Sequence, residues 1–451
     1  MYVGLMLLAL TVILLSTASH TLDLPLTLLF PGVMVVVVAV GIFFLHHPVL
    51  PLYTVVFLSF LPRGLIPQTI LPPLYFMIIL WALGSWLFTM VLKHRPFVWP
   101  HPLLLLVASL IWSVVTLAWA SDLVVARREL VQYVYVITML FLLINQIDSL
   151  RTLDGLMHTL ALNGWIFVLA GIGSVLFTGY EFGSRLKIFG TNENGLGIIL
   201  ILTLSGVLWG VIRSPPQQRT MKVLLSLIFV SLSFFLIALS GSRGSLGSLL
   251  ILMTMFWLWK PTRLWAKFSL FLVALALIAT PIVFLTLQNR LADPDEDQFG
   301  SRLSLWHAGA LLILEHPIGG VGIGNGPYIL PAYINSLGRS TGMRQEFPAH
   351  NPILEVGVDA GIPGILLYLS ALGSSIWTFF RRFLYFNRVG ASTHSTYCAL
   401  VASISMGYFF SWIKSGGSEY NQSYFLMLAL LIISARLRPN ESDALVEMPT
   451  T

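Results

Sequence analysis

The sequence predicts an all-α polytopic membrane protein, and three observations support that prediction. Hydrophobic residues make up 57% of the 451 residues, charged residues only 10%, and the mean hydropathy is +0.85. A soluble domain carries about 25% charged residues, so this composition excludes a water-soluble protein. Apolar runs of about twenty residues recur, each long enough to cross a hydrocarbon core about 30 Å thick. The runs are continuous, whereas the strands of a membrane barrel alternate apolar and polar residues.

Hydropathy divides the chain into fourteen predicted spans, or twelve if two early segments are re-entrant. The run 49–62 is interrupted by prolines, and the run 422–436 is short. The first run lacks the basic start of a signal peptide and is interpreted as a span. The predicted spans are 3–18, 26–45, 49–62, 74–92, 102–120, 130–146, 156–178, 195–213, 222–240, 244–260, 268–287, 354–380, 396–414 and 422–436.

The distribution of Lys and Arg predicts the orientation, because cytoplasmic loops retain these residues. One set of alternate loops carries 14 Lys and Arg against five Asp and Glu, so we expect this side and both termini to be cytoplasmic. Its basic excess suits anionic membrane lipids, and no nucleic-acid partner is expected. The segments 126–129, 185–194, 240–245 and one long loop, 288–353, then face outward.

Arg243 lies in "SGSRGS", where one apolar run ends and the next begins. An arginine at such a place is costly unless it is paired or faces a wet cavity, which makes it a functional candidate. The alternative is an interfacial arginine that extends toward lipid headgroups.

The long outer loop contains an apolar stretch with helical spacing, "LSLWHAGALLILEHP", followed by "GGVGIGNG". Arg302 opens this stretch, which is predicted to form a short amphipathic helix at the membrane surface. Arg302 is a candidate phosphate-binding residue or a plain interfacial anchor. The glycine run does not follow a strand of a βαβ unit, so it is interpreted as a tight turn and not as a nucleotide-binding loop.

His350 stands in "PAHNP", directly before a new apolar run. Asn351 is predicted to cap that helix and Pro352 to occupy its first position. A neutral imidazole there suits a general base. Glu355 and Asp359 share one helical face, where they would orient His350 or pair with arginines. The alternative is a surface histidine with two acids that favour the helix start.

Asn192 and Asn194 stand at another outward helix start, either as ordinary caps or as residues that line a polar substrate's entrance. The ten histidines are scattered, and the single cysteine, Cys398, excludes an intramolecular disulfide and a thiolate metal site. The sequence therefore predicts no metal site and no cofactor.

Together these motifs resemble the O-antigen ligase and O-antigen polymerase superfamily of bacterial inner-membrane proteins. The matching stretches are "FGTNENGLGIIL", "SGSRGSLGSLL", "SRLSLWHAGALLILEHPIGGVGIGN" and "HNPILEVGVDAGIPGILLY", in the family's order and across about residues 185 to 380. The resemblance implies a GT-C-like bundle of about 12–14 helices with one long periplasmic loop. On this basis we divide the chain into N-terminal membrane helices (1–180) and a ligase-like catalytic region (181–436). The tail (437–451) is expected from its own composition to be disordered, and from the charge distribution to be cytoplasmic.

The resemblance also implies a metal-independent, inverting glycosyltransferase at the periplasmic face of the inner membrane. Its donor would be a glycan on undecaprenyl pyrophosphate, and its acceptor lipid A–core or another glycan. His350 would be the base, and Arg243 and Arg302 would hold the pyrophosphate. Asn192, Asn194, Glu355 and Asp359 complete the predicted substrate site. We expect Arg243, Arg302 and His350 to converge on one pocket.

Three acceptors remain open within this superfamily: lipid A–core for a ligase, a second lipid-linked repeat unit for a polymerase, and a protein for an O-oligosaccharyltransferase. A membrane transporter is the alternative from another class. Transporters place charges near mid-membrane in broken helices, whereas the charges here cluster at the outer helix ends. That pattern favours the enzyme.

Overall fold

The computed structural model of this chain describes most of the residues between 41 and 437. The described residues are 41, 43, 44, 46–61, 71–93, 97–177, 180, 184–188, 191, 193–259, 267, 268, 270, 271, 274, 275, 281, 298–336, 348–415 and 421–437. At 71–73, 93, 193, 298–302, 415 and 421 this description covers the backbone only.

The described part of the chain is helical, with an isolated bridge between Ile188 and Thr191 in place of any strand. A short 3-10 turn, Thr116–Ala118, continues the third helix. The helices are α1 Leu50–Ser59, α2 Leu71–Lys93, α3 His101–Val115, α4 Leu123–Gln146, α5 Leu150–Phe177, α6 Glu193–Ile212, α7 Pro216–Leu239, α8 Arg243–Trp259, α9 Gln298–Glu315, α10 Gly326–Ser336, α11 Pro352–Arg388, α12 Ser392–Ser415 and α13 Asn421–Arg436.

Eight of these helices are long and apolar enough to cross a membrane, which confirms an all-α polytopic membrane protein. The helix α1 has only 10 residues. At 1.5 Å per residue it spans about 15 Å, half the thickness of the hydrocarbon core. The predicted span 49–62 is therefore longer than the helix that forms there, Leu50–Ser59. The predicted spans 3–18 and 26–45 and most of 268–287 lie outside the described residues.

Small residues bring the central helices close together. Most of α6 is buried, and its Gly206 faces the backbone of α5, where an added Cβ would stand 2.1 Å from the carbonyl oxygen of Met157. On α12, Gly407 similarly faces the carbonyl oxygen of Ser248 on α8, at 2.6 Å. Such approaches maximise packing contacts between membrane helices, where water supplies no hydrophobic driving force. They hold α6 close against α5, and α12 close against α8.

Candidate functional site

The helix α11 is broken about one quarter of the way along its length. Gly361 has φ 68° and ψ −168°, and Pro363 follows it. This backbone conformation is accessible almost only to glycine. A break in a membrane helix leaves backbone groups without helical partners, so other parts of the protein must supply them.

The glycine-rich turn that follows α9, residues 317–326, supplies most of these partners. The amide of Val321 donates to the carbonyl of Val358 at 2.8 Å, and the amide of Gly322 donates to that of Asp359 at 3.1 Å. Pro317 accepts from the amide of Ile362 at 2.8 Å. Trp112 of α3 completes the set, because its Nε1 donates to the carbonyl of Ala360 at 2.8 Å. The predicted tight turn is thus confirmed, and it docks onto the break in α11.

Asp359 fixes the same turn through its side chain. Its Oδ2 accepts from the amide of Gly324 and its Oδ1 from the amide of Gly326, both at 2.9 Å. The next anchor is Asn325, which is buried. Its Oδ1 accepts from the hydroxyl of Ser121 and from the amide of Asp122, each at 2.8 Å. The glycine amides thus bind a carboxylate of the protein, and the turn ties α11 to the start of α4.

His350 adopts a left-handed conformation at the start of α11. Its φ of 53° is positive, and no other non-glycine residue in the described part of the chain has a positive φ. Its amide donates to Oε1 of Glu355 at 3.1 Å. Asn351 caps the helix by accepting from the amides of Ile353 and Leu354, and Pro352 occupies the first position, both as predicted. Such strain at a half-buried imidazole is typical of functional sites.

The helix α9 fastens the segment before His350. Trp306 donates through Nε1 to the carbonyl of Ala349 at 3.1 Å. One face of α9 packs into a small apolar cluster with Ala349 and Val358, while Leu303 and Leu314 on the other face are exposed. The predicted amphipathic helix is therefore confirmed, although its placement on a membrane surface stays a prediction.

A cleft of about 110 Å³ lies between α3, α4, α10, α11 and α13. Four charged residues line it: Arg128, Glu129, Glu355 and Asp359. The Nε of Arg128 lies 3.6 Å from Oε1 of Glu129. The apolar and aromatic part of the wall consists of Tyr133, Ile323, Pro327, Tyr328, Val356, Tyr368 and Phe425. The cleft thus combines charged side chains with aromatic surface.

A second group of polar residues surrounds the start of α8. Arg243 is exposed there. An added Cβ on the next residue, Gly244, would stand 2.7 Å from Nζ of Lys414, so the two cationic residues are neighbours. Asn194 at the start of α6 accepts from the hydroxyl of Ser242 at 3.0 Å. We call this group, Asn194, Ser242, Arg243 and Lys414, the cationic patch.

An aromatic stack runs from the wall of the cleft to the helix α12, which carries Lys414 of the cationic patch. Tyr368 stacks on Tyr424 with ring centroids 4.6 Å apart, and Tyr424 stacks on Trp412 at 5.1 Å. Tyr368 lines the cleft, and Trp412 stands two residues before Lys414. Because α12 runs back along α11, its last turn returns toward the start of α11. The cleft, His350 and the cationic patch therefore share one end of the bundle.

The predicted outward segments also gather at this end. The segment 185–188 is tied to the α7–α8 turn through the amide of Leu186, which donates to Leu239, and through Nε of Arg185, which donates to Ser240. Residues 126–129 reach the cleft through Arg128 and Glu129. The start of α11 closes the outer loop at the same end. This grouping is what the charge pattern requires, although the side of the membrane stays a prediction.

The predicted site residues are divided between these two places. Glu355 and Asp359 line the cleft, while Arg243 and Asn194 belong to the cationic patch. His350 stands beside the cleft through Glu355. Asn192 and the side chain of Arg302 lie outside the described residues. The convergence of Arg243, Arg302 and His350 on one pocket stays a prediction.

Sequence reasoning missed several residues of this region, above all Arg128, Glu129, Tyr328 and Lys414. The available signal was "ARRE" at 126–129, two bases and an acid at an outward helix start. Nothing in the sequence places those residues beside Asp359. Within the described residues, no group of three His, Cys, Asp or Glu is arranged to hold a metal ion.

Residues 228–369 match the family model described as O-antigen ligase. The matched segment contains Arg243, Arg302, the glycine-rich turn, His350, Glu355 and Asp359, and it ends just beyond Tyr368. The match confirms the resemblance predicted from the sequence and indicates a membrane enzyme of the glycosyl-transfer kind. A search of the curated proteins finds no match.

Proposed function

We propose that this chain transfers a glycan from undecaprenyl pyrophosphate to a sugar hydroxyl of lipid A–core at the periplasmic face of the inner membrane, as an O-antigen ligase does. The observation that carries the proposal is the position of His350. It lies within the matched segment, in a strained conformation stabilised by Glu355, and next to a cleft.

In the proposed reaction the acceptor hydroxyl attacks the anomeric carbon of the donor from the side opposite the pyrophosphate. A carbon–oxygen bond forms to the acceptor while the bond to the pyrophosphate oxygen breaks. The imidazole of His350 takes the hydroxyl proton, and undecaprenyl pyrophosphate leaves. A positioned base of this kind typically contributes about 10²–10⁴-fold to the rate.

Negative charge builds on the leaving pyrophosphate, so fixed positive charge must lie close to it. Arg243 is exposed at the end of the bundle that holds His350, and Arg302 lies near the start of α9, the helix that fastens Ala349. Guanidinium groups stay charged and bind phosphate oxygens in bidentate pairs. Preorganised charges of this kind are usually the largest single contribution to catalysis.

The test is complementation of two bacterial strains, one without its O-antigen ligase and one without its polymerase. A ligase-deficient strain makes bare lipid A–core and a polymerase-deficient strain adds a single unit. Restored long-chain lipopolysaccharide in the first strain alone supports the ligase, and restoration in the second alone replaces it with the polymerase. If the chain is inserted at normal levels and neither strain is restored, the proposal fails.

The role of His350 is tested with His350→Asn and His350→Ala. Asparagine tolerates a positive φ and cannot serve as a base, so the folded site is preserved. We expect both variants to lose transfer by about a hundredfold or more, with membrane insertion and thermal unfolding unchanged in the Asn variant. Full activity in His350→Asn removes the base assignment.

A further inference from the structure

The cleft beside His350 has a charge that does not suit a pyrophosphate. Glu129, Glu355 and Asp359 line it together with a single described base, Arg128. The cationic patch carries Arg243 and Lys414 instead. Because like charges repel strongly where water is excluded, the carboxylates of Glu129 and Glu355 disfavour an anionic leaving group in the cleft, and the cationic patch favours one.

The chemistry of the cleft suits an uncharged, hydroxyl-rich ring. A carboxylate offers about four acceptor sites, and the two amides that Asp359 binds leave acceptor capacity for substrate hydroxyls. Tyr133, Tyr328, Tyr368 and Phe425 supply aromatic surface in the same wall. The hydroxyl of Tyr133 donates to Oγ of Ser109 at 3.0 Å, which fixes one ring in place.

The size of the cleft limits what enters it. A dry cavity of about 150 Å³ holds a benzene ring, and this open cleft measures about 110 Å³. One sugar ring therefore fits part of the way in, with the rest of a glycan outside. The cleft is too small to enclose an oligosaccharide.

From these observations we propose that the cleft is the subsite for the acceptor sugar, with Glu129 and Asp359 as hydroxyl-binding residues. The assignment to the acceptor, and not to the donor, rests on the proposed function, since the base that takes the acceptor's proton stands beside this cleft through Glu355. The lipid-linked pyrophosphate lies outside the cleft, toward the cationic patch.

Glu129→Gln tests this subsite because glutamine keeps the packing of this side chain against Gly324, while Asp359 continues to bind the turn. The full-length protein in detergent is assayed with undecaprenyl-pyrophosphate glycan as donor. The acceptors, in separate arms, are lipid A–core and a second lipid-linked repeat unit. Glu129→Gln is expected to raise the KM for whichever acceptor is used about tenfold, as the loss of a hydrogen bond to a charged group predicts. The KM for the donor is expected to stay within about twofold of wild type.

The matched control is Glu315→Gln, which changes an acid at the end of α9 that binds the hydroxyl of Tyr333 at 2.6 Å outside the cleft. It should leave both KM values at the wild-type level. An unchanged acceptor KM in Glu129→Gln, or a rise in the donor KM instead, overturns the assignment.

A labelling experiment tests the subsite without turnover. The single cysteine of the chain, Cys398, is buried, so a cysteine introduced by Tyr328→Cys is the main site for a thiol reagent. Lipid A–core, or the repeat unit, should slow its labelling, while the exposed position changed by Ser336→Cys should label at the same rate with and without glycan. Equal labelling of Tyr328→Cys under both conditions overturns the subsite. If the glycan slows labelling of Tyr328→Cys but the chain shows no transfer activity, glycan binding in the cleft is supported and only the proposed function fails.

Discussion

The amide of His350 donates a hydrogen bond to Oε1 of Glu355 at 3.1 Å, across the first turn of α11. This bond ties His350, whose φ of 53° is left-handed, to the helix that follows it. Left-handed conformations of non-glycine residues cost about 1–3 kcal/mol and persist only where the surroundings stabilise them. Glu355 therefore acts on His350 through the backbone and is a positioning residue.

Removal of the Glu355 carboxylate should reduce turnover because the imidazole loses its fixed position. We expect Glu355→Ala to lower kcat roughly ten- to hundredfold, the effect of a small misplacement of a reacting group. Glu355→Gln keeps an acceptor oxygen and should restore most of that loss. The measurement is kcat and the donor KM of the purified variants, with Glu315→Ala as a control acid on the surface. A donor KM that rises while kcat stays constant contradicts a positioning role.

We expect Asp359 to contribute to stability as well as to substrate binding. In Asp359→Asn one of the two glycine amides faces an NH₂ group, so a buried donor loses its acceptor. Such a loss costs about 1–3 kcal/mol. We expect a lower thermal unfolding temperature and faster proteolysis at the glycine-rich turn. Equal stability of Asp359→Asn and wild type would show that the turn is docked by its backbone bonds alone.

The sequence predicts most helices because membrane helices are specified by local hydropathy. The start of α11 is an example, since Asn351 and Pro352 are local signals for a helix start. The break at Gly361 was missed. The break depends on Trp112 and the glycine-rich turn for hydrogen bonds. Because these partners are distant in the sequence, the local hydropathy of 354–380 does not indicate the break.

The candidate site was likewise predicted only where its residues are close together in the sequence. His350, Glu355 and Asp359 were found because they stand together at one helix start. Arg128 and Glu129 were missed, because they join Asp359 only when α4 packs beside α11. Hydropathy says which segments are helices and gives no information on which helices are neighbours.

Arg243 should not tolerate replacement by lysine if it binds pyrophosphate. Lysine keeps the charge and loses the bidentate geometry. A charge-assisted hydrogen bond contributes about 1.5–3 kcal/mol, so Arg243→Lys should raise the donor KM or lower kcat by roughly ten- to hundredfold. Arg219→Lys, an exposed position in the first turn of α7, serves as the control and should be neutral. Wild-type kinetics in Arg243→Lys would reduce Arg243 to an interfacial anchor.

Gly361 should be irreplaceable because the break in α11 depends on it. An added Cβ would stand 2.4 Å from the carbonyl oxygen of Ile318, and the backbone conformation costs any other residue about 1–3 kcal/mol. Gly361→Ala is expected to lower the thermal unfolding temperature and to reduce transfer, since the turn and Asp359 shift together. Gly373 lies in the same helix, and an added Cβ there meets no atom within 4 Å. Gly373→Ala should therefore be neutral or stabilising by about 0.5–1 kcal/mol. Equal unfolding temperatures for the two variants would mean that α11 straightens without cost, and the break would then have no part in shaping the site.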